Sequence, residues 1–198
     1  MPQLKKLLTS VLMSLCFTAF ANQGETSMEA PKTLVLGYDY PSERTLKEST
    51  SKLHQNSKYS FHGSEKNVEV VLLGEKEKVI IPEINESFLL FDKNLVSANL
   101  HLLPPGHYLS MTPAIEKIKE TREKLAPLKT ISLNIEEFDL DKLNDAYFAS
   151  RPAELLGLYE LDHTKVFFVM KKLDTPKEIH PRDKEYFQLI IRIDNKTR

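Results

Sequence analysis

Leu155-Leu156-Gly157-Leu158-Tyr159-Glu160-Leu161-Asp162-His163-Thr164-Lys165-Val166-Phe167-Phe168-Val169-Met170-Lys171-Lys172 is the stretch on which the fold turns. Two strand-like runs, 155–161 and 165–172, are separated only by Asp162-His163-Thr164. A connection that short joins antiparallel neighbours, because a parallel return needs a crossover of about a dozen residues or more. Tyr186 to Ile193 adds a further strand, with Phe187, Leu189, Ile191 and Ile193 on one side. The last third of the chain therefore reads as sheet.

The same pattern recurs upstream. Val96 to Leu102 sets Val96, Ala98, Leu100 and Leu102 against Ser97, Asn99 and His101, and Thr130 to Ile135 sets Ile131, Leu133 and Ile135 against Thr130, Ser132 and Asn134. Both are half-buried strands by their period of two. Thr33–Tyr38, Val68–Leu73, Val79–Ile81 and Ser87–Phe91 are short apolar runs, the last three separated by five-residue breaks that favour hairpins. Gln55–Asn67 is polar and reads as a loop, with His54 and His62 near its ends.

Helical signals are thinner. Ser42 is a plausible cap for a helix carrying Leu46, Ser49 or Thr50, and Leu53; Thr112-Pro113 opens a second with Ile115, Ile118 and Leu125, interrupted by Arg122 and ended by Pro127. Asp139 caps a third, in which Leu140, Leu143 and Tyr147 share a face. Narrow stripes of this kind belong to surface helices. The expectation is one α+β domain over 33–198, a mostly antiparallel sheet with two or three surface helices.

The N-terminus reads as an address. Lys5 and Lys6 precede an apolar stretch from Leu7 to Phe20, and Ala19-Phe20-Ala21 has the form that signal peptidase accepts, so residues 1–21 are expected to be a signal peptide cleaved before Asn22. Leu15 before Cys16 is too large for a lipoprotein site. Residues 22–32 read as a flexible lead. Cleavage would remove the single Cys and take the net charge from -1 to -3 by loss of Lys5 and Lys6. The mature chain would then be thiol-free, which suits a bacterial periplasmic or secreted protein and excludes disulfides and thiolate metal sites. No transmembrane segment is expected in it. A mildly acidic chain without basic runs also argues against a nucleic-acid partner.

Candidate chemistry is sparse. His54, His62, His101, His107, His163 and His180 show neither the helical nor the strand spacing of a metal site, and no G-x-S-x-G or Gly-rich phosphate cradle occurs. Gly63-Ser64-Glu65 beside His62 is the nearest approach to a nucleophile, and its surroundings are those of an ordinary polar loop. No catalytic residue, metal or cofactor is implied. His101 and His107, six apart across Pro104-Pro105-Gly106, could converge only if that turn folds them together.

What remains is surface. Ser97, Asn99 and His101 on one strand face, with His107 and Tyr108 beside the Pro104–Gly106 turn, form the expected binding site for a protein partner or small ligand. The polar loop Asp174–Glu185, with seven charged side chains, is a second candidate. The leading expectation is thus an exported, non-enzymatic binding protein. The competing ones are an envelope hydrolase with a scattered His and carboxylate site, and an inhibitor or immunity protein for a secreted toxin.

Overall fold

The computed structural model describes residues 30–130, 138–144, 147–149, 151–173 and 186–195. The chain divides into Met1–Ala30 and Pro31–Arg198, and the elements below belong to the second unit. Its strands are β1 (Thr33–Gly37), β2 (His54–Ser57), β3 (Ser60–Gly63), β4 (Val68–Leu73), β5 (Lys78–Ile84), β6 (Glu86–Phe91), β7 (Leu95–His101), β8 (Lys129–Thr130), β9 (Ala153–Leu161), β10 (Thr164–Lys172) and β11 (Phe187–Asn195). The α-helices are α1 (Ser42–Glu48) and α2 (Met111–Leu125). The α+β class and the dominance of antiparallel sheet are as the sequence implies, with two α-helices among the described residues. No described helix is long and apolar enough to cross a membrane.

Eight strands form one antiparallel sheet in the order β2-β3-β6-β7-β11-β10-β9-β8. The other three form a mixed sheet, β1-β4-β5, in which β1 runs parallel to β4. One buried cluster joins them. Leu34, Leu36, Val70, Leu72 and Ile81 of the small sheet, and Ala114, Ile118 and Leu125 of α2, share it with Ala98, Leu100, Phe168, Leu189 and Ile191 of the large sheet. Alternation explains this for β10 and β11, where Val166, Phe168, Met170, Phe187, Leu189, Ile191 and Ile193 are fully buried.

The chain passes from one sheet to the other at Asn85, between Ile84 and Glu86. Its backbone N–H donates to the His101 carbonyl at 2.9 Å, and its buried Nδ2 donates to Leu102 O at 2.9 Å and Glu83 O at 3.0 Å. These bonds satisfy main-chain acceptors that the change of sheet would leave stranded. They also fix the first residue of β6 opposite the last of β7.

Several local expectations are corrected. Gln55–Asn67 is not all loop, for it contains the β2–β3 hairpin, whose register is set by pairing with β6 and not by apolar content. The break after β5 is no hairpin, since β5 and β6 lie in different sheets. Val96 does not point to the core. A register shift between Leu90 and Phe91 gives its place to Leu95, which is buried.

Among the helices, α1 ends at Glu48, and Ser49 and Thr50 leave it to donor-cap the free edge of β1. Ser49 Oγ accepts from Val35 N at 2.9 Å and Thr50 Oγ1 from Thr33 N at 2.8 Å. Leu46 stays 43% exposed and Thr45 is the buried residue of α1. The cap of α2 is Ser110, so Pro113 is its third residue, still in the first turn where a missing N–H costs nothing. Arg122 does not interrupt its buried face, because Nη2 donates to Phe138 O and Leu156 O at 2.9 and 2.7 Å. The third helix is replaced by two 3₁₀ turns, Leu140–Lys142 and Tyr147–Ala149. Asp139 does cap the first, through Asp141 N at 3.0 Å, but Leu143 turns extended and Asn144 Oδ1 accepts from Tyr147 N to start the second.

Lys32, expected in a flexible lead, is held: its carbonyl accepts from Glu69 N at 2.8 Å and its ammonium pairs with Glu65 at 2.6 Å. Residues 1–29, 131–137 and 174–185 lie outside the described set, including Ile131–Ile135 and the Asp174–Glu185 loop.

Asn85→Ala should lower the unfolding free energy by about 2 kcal/mol or more, by orphaning buried carbonyls, whereas Leu46→Ser on exposed α1 should change it by no more than about 0.5 kcal/mol. Urea unfolding followed by circular dichroism measures both; similar losses in the two would contradict this structure.

Candidate functional site

The register of the large sheet lays out its outer face in rows. One runs His54, His62, Phe88, Asn99, Arg192, Phe167, Leu158 across β2, β3, β6, β7, β11, β10 and β9. The next runs Glu86, His101, Ile190, Val169, Leu155, and on the other side lies Leu90, Ser97, Asp194, Lys165, Glu160. Ser97, Asn99 and His101 therefore share this face as expected, with Asn99 exposed and the other two half-buried.

His107 does not join His101. It is exposed on the turn that Gly106 enables at φ 75°, and its N–H closes onto Pro104 O at 3.0 Å. Tyr108 is half-buried, one residue before the Leu109 bridge to Phe187. The neighbours of His101 come instead from β6. Glu86 Oε2 is 3.5 Å from His101 Nδ1, and Glu86 Oε1 is 3.1 Å from His62 Nε2. One carboxylate thus faces two imidazoles through its two oxygens. Because a carboxylate only accepts, His62 donates from Nε2. Phe88 completes the group: His62 stacks on it at 4.6 Å with 13° between planes, and His101 meets it at 5.5 Å and 60°.

Burial holds the His101 imidazole below the usual histidine range; Glu86 pulls the other way, and Lys171 and His62 push it further down. His101 is therefore neutral at pH 7 and gains its proton only on acidification. Among the described residues, no three His, Cys, Asp or Glu side chains are arranged to hold a metal ion.

Sequence alone does not bring these groups together. His62 is a candidate histidine there but falls in an expected loop, and Glu86 lies just outside the run 87–91. The i, i+2 spacing of Glu86 and Phe88 was the available signal, but it needs the β6–β7 register to acquire meaning.

The remaining sequence candidates lie elsewhere. His163, at the β9–β10 turn, contacts Tyr38 at 4.9 Å between rings and Glu75 Oε1 at 3.4 Å. Beside that turn, an acidic cleft of about 220 Å³ is lined by Glu75, Lys76, Glu77, Glu160, Leu161 and Asp162. His101, His107 and His163 thus have separate surroundings. Glu65 of Gly63-Ser64-Glu65 is engaged structurally, accepting from Lys52 N at 2.7 Å and pairing with Lys32. Thr130 ends the two-residue β8, while Ser132, Asn134 and His180 fall outside the described residues.

Compared with known proteins, the chain matches no family model, no curated protein and no solved structure.

A histidine whose folded pKa is depressed favours the folded state fully above its unfolded pKa, about 6.5, and that contribution is lost as pH falls towards the folded value. Wild type should therefore lose stability between pH 7.5 and pH 5, and His101→Gln should lose less. Parallel urea titrations at the two pH values check this. An unchanged slope in the variant would remove His101 from the account.

Proposed function

We propose that this is an exported protein, periplasmic or secreted from a bacterium, that works by binding a protein partner on the outer face of its large sheet. One observation carries the reading: Phe88 and Leu90, at alternate positions of β6, are 39% and 45% exposed on the face that holds Ser97, Asn99 and His101. An antiparallel sheet whose second face meets only water tends to alternate apolar and polar residues. Here large apolar side chains stand on both faces of β6, and half-buried Ile190, Val169 and Leu155 extend the apolar character across three more strands.

An open sheet face suits a protein better than a small molecule, which prefers a concave pocket. Polar Ser97 and Asn99 between apolar neighbours supply hydrogen bonds that fix orientation, as in the mixed surfaces of non-obligate interfaces. Nucleic acid is disfavoured by the charge of the face, where Lys129, Lys165, Lys171 and Arg192 are matched to within a single charge by Glu86, Glu160 and Asp194. Arg192 Nε is already committed to both Asp194 oxygens at 3.0 Å. Export rests on the N-terminal pattern of residues 1–21.

The binding test uses photo-crosslinking in the native envelope. A crosslinker placed at Asn99 should trap one defined partner, and one at Ile80, equally exposed on the small sheet, should not. Phe88→Ser should abolish the Asn99 adduct while circular dichroism remains native. Equal trapping at both positions would defeat the proposed surface. Export is tested by the mass of the cellular protein, which should correspond to a chain beginning at Asn22; an intact Met1 start on envelope-associated protein would sink that part.

A further inference from the structure

The His62–Glu86–His101 group sits inside the proposed binding face, and its geometry ties the charge beside Phe88 to pH. Glu86 lies between the two imidazoles, one oxygen 3.1 Å from His62 and the other 3.5 Å from His101, with side-chain exposures of 14%, 28% and 18%. Protons taken up here therefore enter a partly desolvated cluster, where charges act more strongly than in water.

Charged and titratable groups stand on most strands of this face. They are His54 on β2, His62 on β3, Glu86 on β6, Arg192 and Asp194 on β11, Lys165 and Lys171 on β10, Glu160 on β9 and, opposite Glu160, Lys129 on β8. With neutral histidines the four basic residues exceed the three acidic ones by a single charge. Lys171 stands opposite Gln188 and Ala153, so no carboxylate faces it directly across the sheet. Each histidine that takes a proton adds positive charge on the Glu86 and Lys171 side, around the exposed Phe88 ring.

We propose that this face is a proton-gated surface for an acidic protein segment: within one charge of balance while its histidines are neutral, it becomes cationic around Phe88 on mild acidification and then takes up carboxylate-rich chain. The proposal rests on the outer face being the binding surface and adds to it the partner's charge and the condition of binding. Burial of His101, which keeps it neutral at pH 7, places its charging on the acid side. Phe88, in contact with both rings, reports the event.

A rhodamine-labelled deca-aspartate peptide, read by fluorescence anisotropy at low ionic strength, tests the gate. Wild type should bind it about tenfold more tightly at pH 5.0 than at pH 7.5, which corresponds to about 1.4 kcal/mol of added attraction. The double variant His62→Gln/His101→Gln should lose most of that gain. His107→Gln/His163→Gln, which removes two histidines elsewhere, should keep it. An equal gain in both variants, or none in wild type, would overturn the proposal.

A second measurement needs no variant. In an NMR titration of wild type, the Phe88 ring resonances should move with the His101 midpoint, and that midpoint should lie below the ordinary histidine value of about 6.5. A Phe88 ring indifferent to pH would overturn the gate. The two readings separate cleanly: if Asn99 crosslinking remains Phe88-dependent while the peptide gains nothing at pH 5.0, the surface stands and the proton gate falls. If the peptide gain follows His62 and His101 while the Asn99 adduct is absent, the gate stands and the partner reading falls.

Discussion

The hydrogen bonds of Asn85 set the register at which one sheet passes into the other. Between Ile84, the end of one sheet, and Glu86, the start of the other, the backbone has no room for a turn, and a change of hydrogen-bonding direction within one peptide leaves carbonyls without their ladder partners. The carboxamide resolves this by donating to Glu83 O and Leu102 O, while the Asn85 N–H reaches His101 O. Everything on the outer face inherits that choice. Because Asn85 is bonded at the end of β7, Glu86 must stand opposite His101, and the period of two then carries Phe88 opposite Asn99 and Leu90 opposite Ser97. A slip of one residue would exchange the outer row for the core row.

The large sheet carries different burdens on its two sides. Its inner face is closed by the small sheet and by α2, and ion pairs from Lys117 and Lys124 to Glu83 tie that helix to β5. The cost of ordering long side chains at an exposed site leaves such pairs a minor energetic term, so the helix is held by Ala114, Ile118 and Leu125 more than by its charges. The outer face is instead a compromise between apolar residues, which favour a covering, and polar ones, which favour water.

Legibility in the sequence followed the strength of local pattern. β10 and β11 are readable because every second residue is large and apolar from Val166 to Met170 and from Phe187 to Ile193. β2 and β3 are not, since Phe61 is their one buried large side chain and their strand character comes from pairing with β6. Asp139, Leu143 and Tyr147 imitated a helix because capping and i, i+3 to i, i+4 spacing are shared by consecutive 3₁₀ turns. Ser49 and Thr50 matched a helical stripe but were needed at the β1 edge. For the site the same rule holds. Ser97, Asn99 and His101 belong to one strand and one alternation, so they were visible. Their partners His62 and Glu86 depend on cross-strand register, which is a tertiary quantity.

The order of the large sheet also bears on how the chain reaches this structure. β7 lies between β6 and β11, so its second edge is completed by the last strand, and Asn195 Nδ2 donates to Leu95 O across 100 positions of sequence. Contacts of such separation close slowly because the intervening chain must first give up its freedom. The strands before β8 can pair among themselves, but the sheet has an open seam at its centre unless residues 187–195 are in place. This one segment therefore unites the two halves of the sheet, and without it Leu100, Ala98 and Leu95 lack their native neighbours on one side.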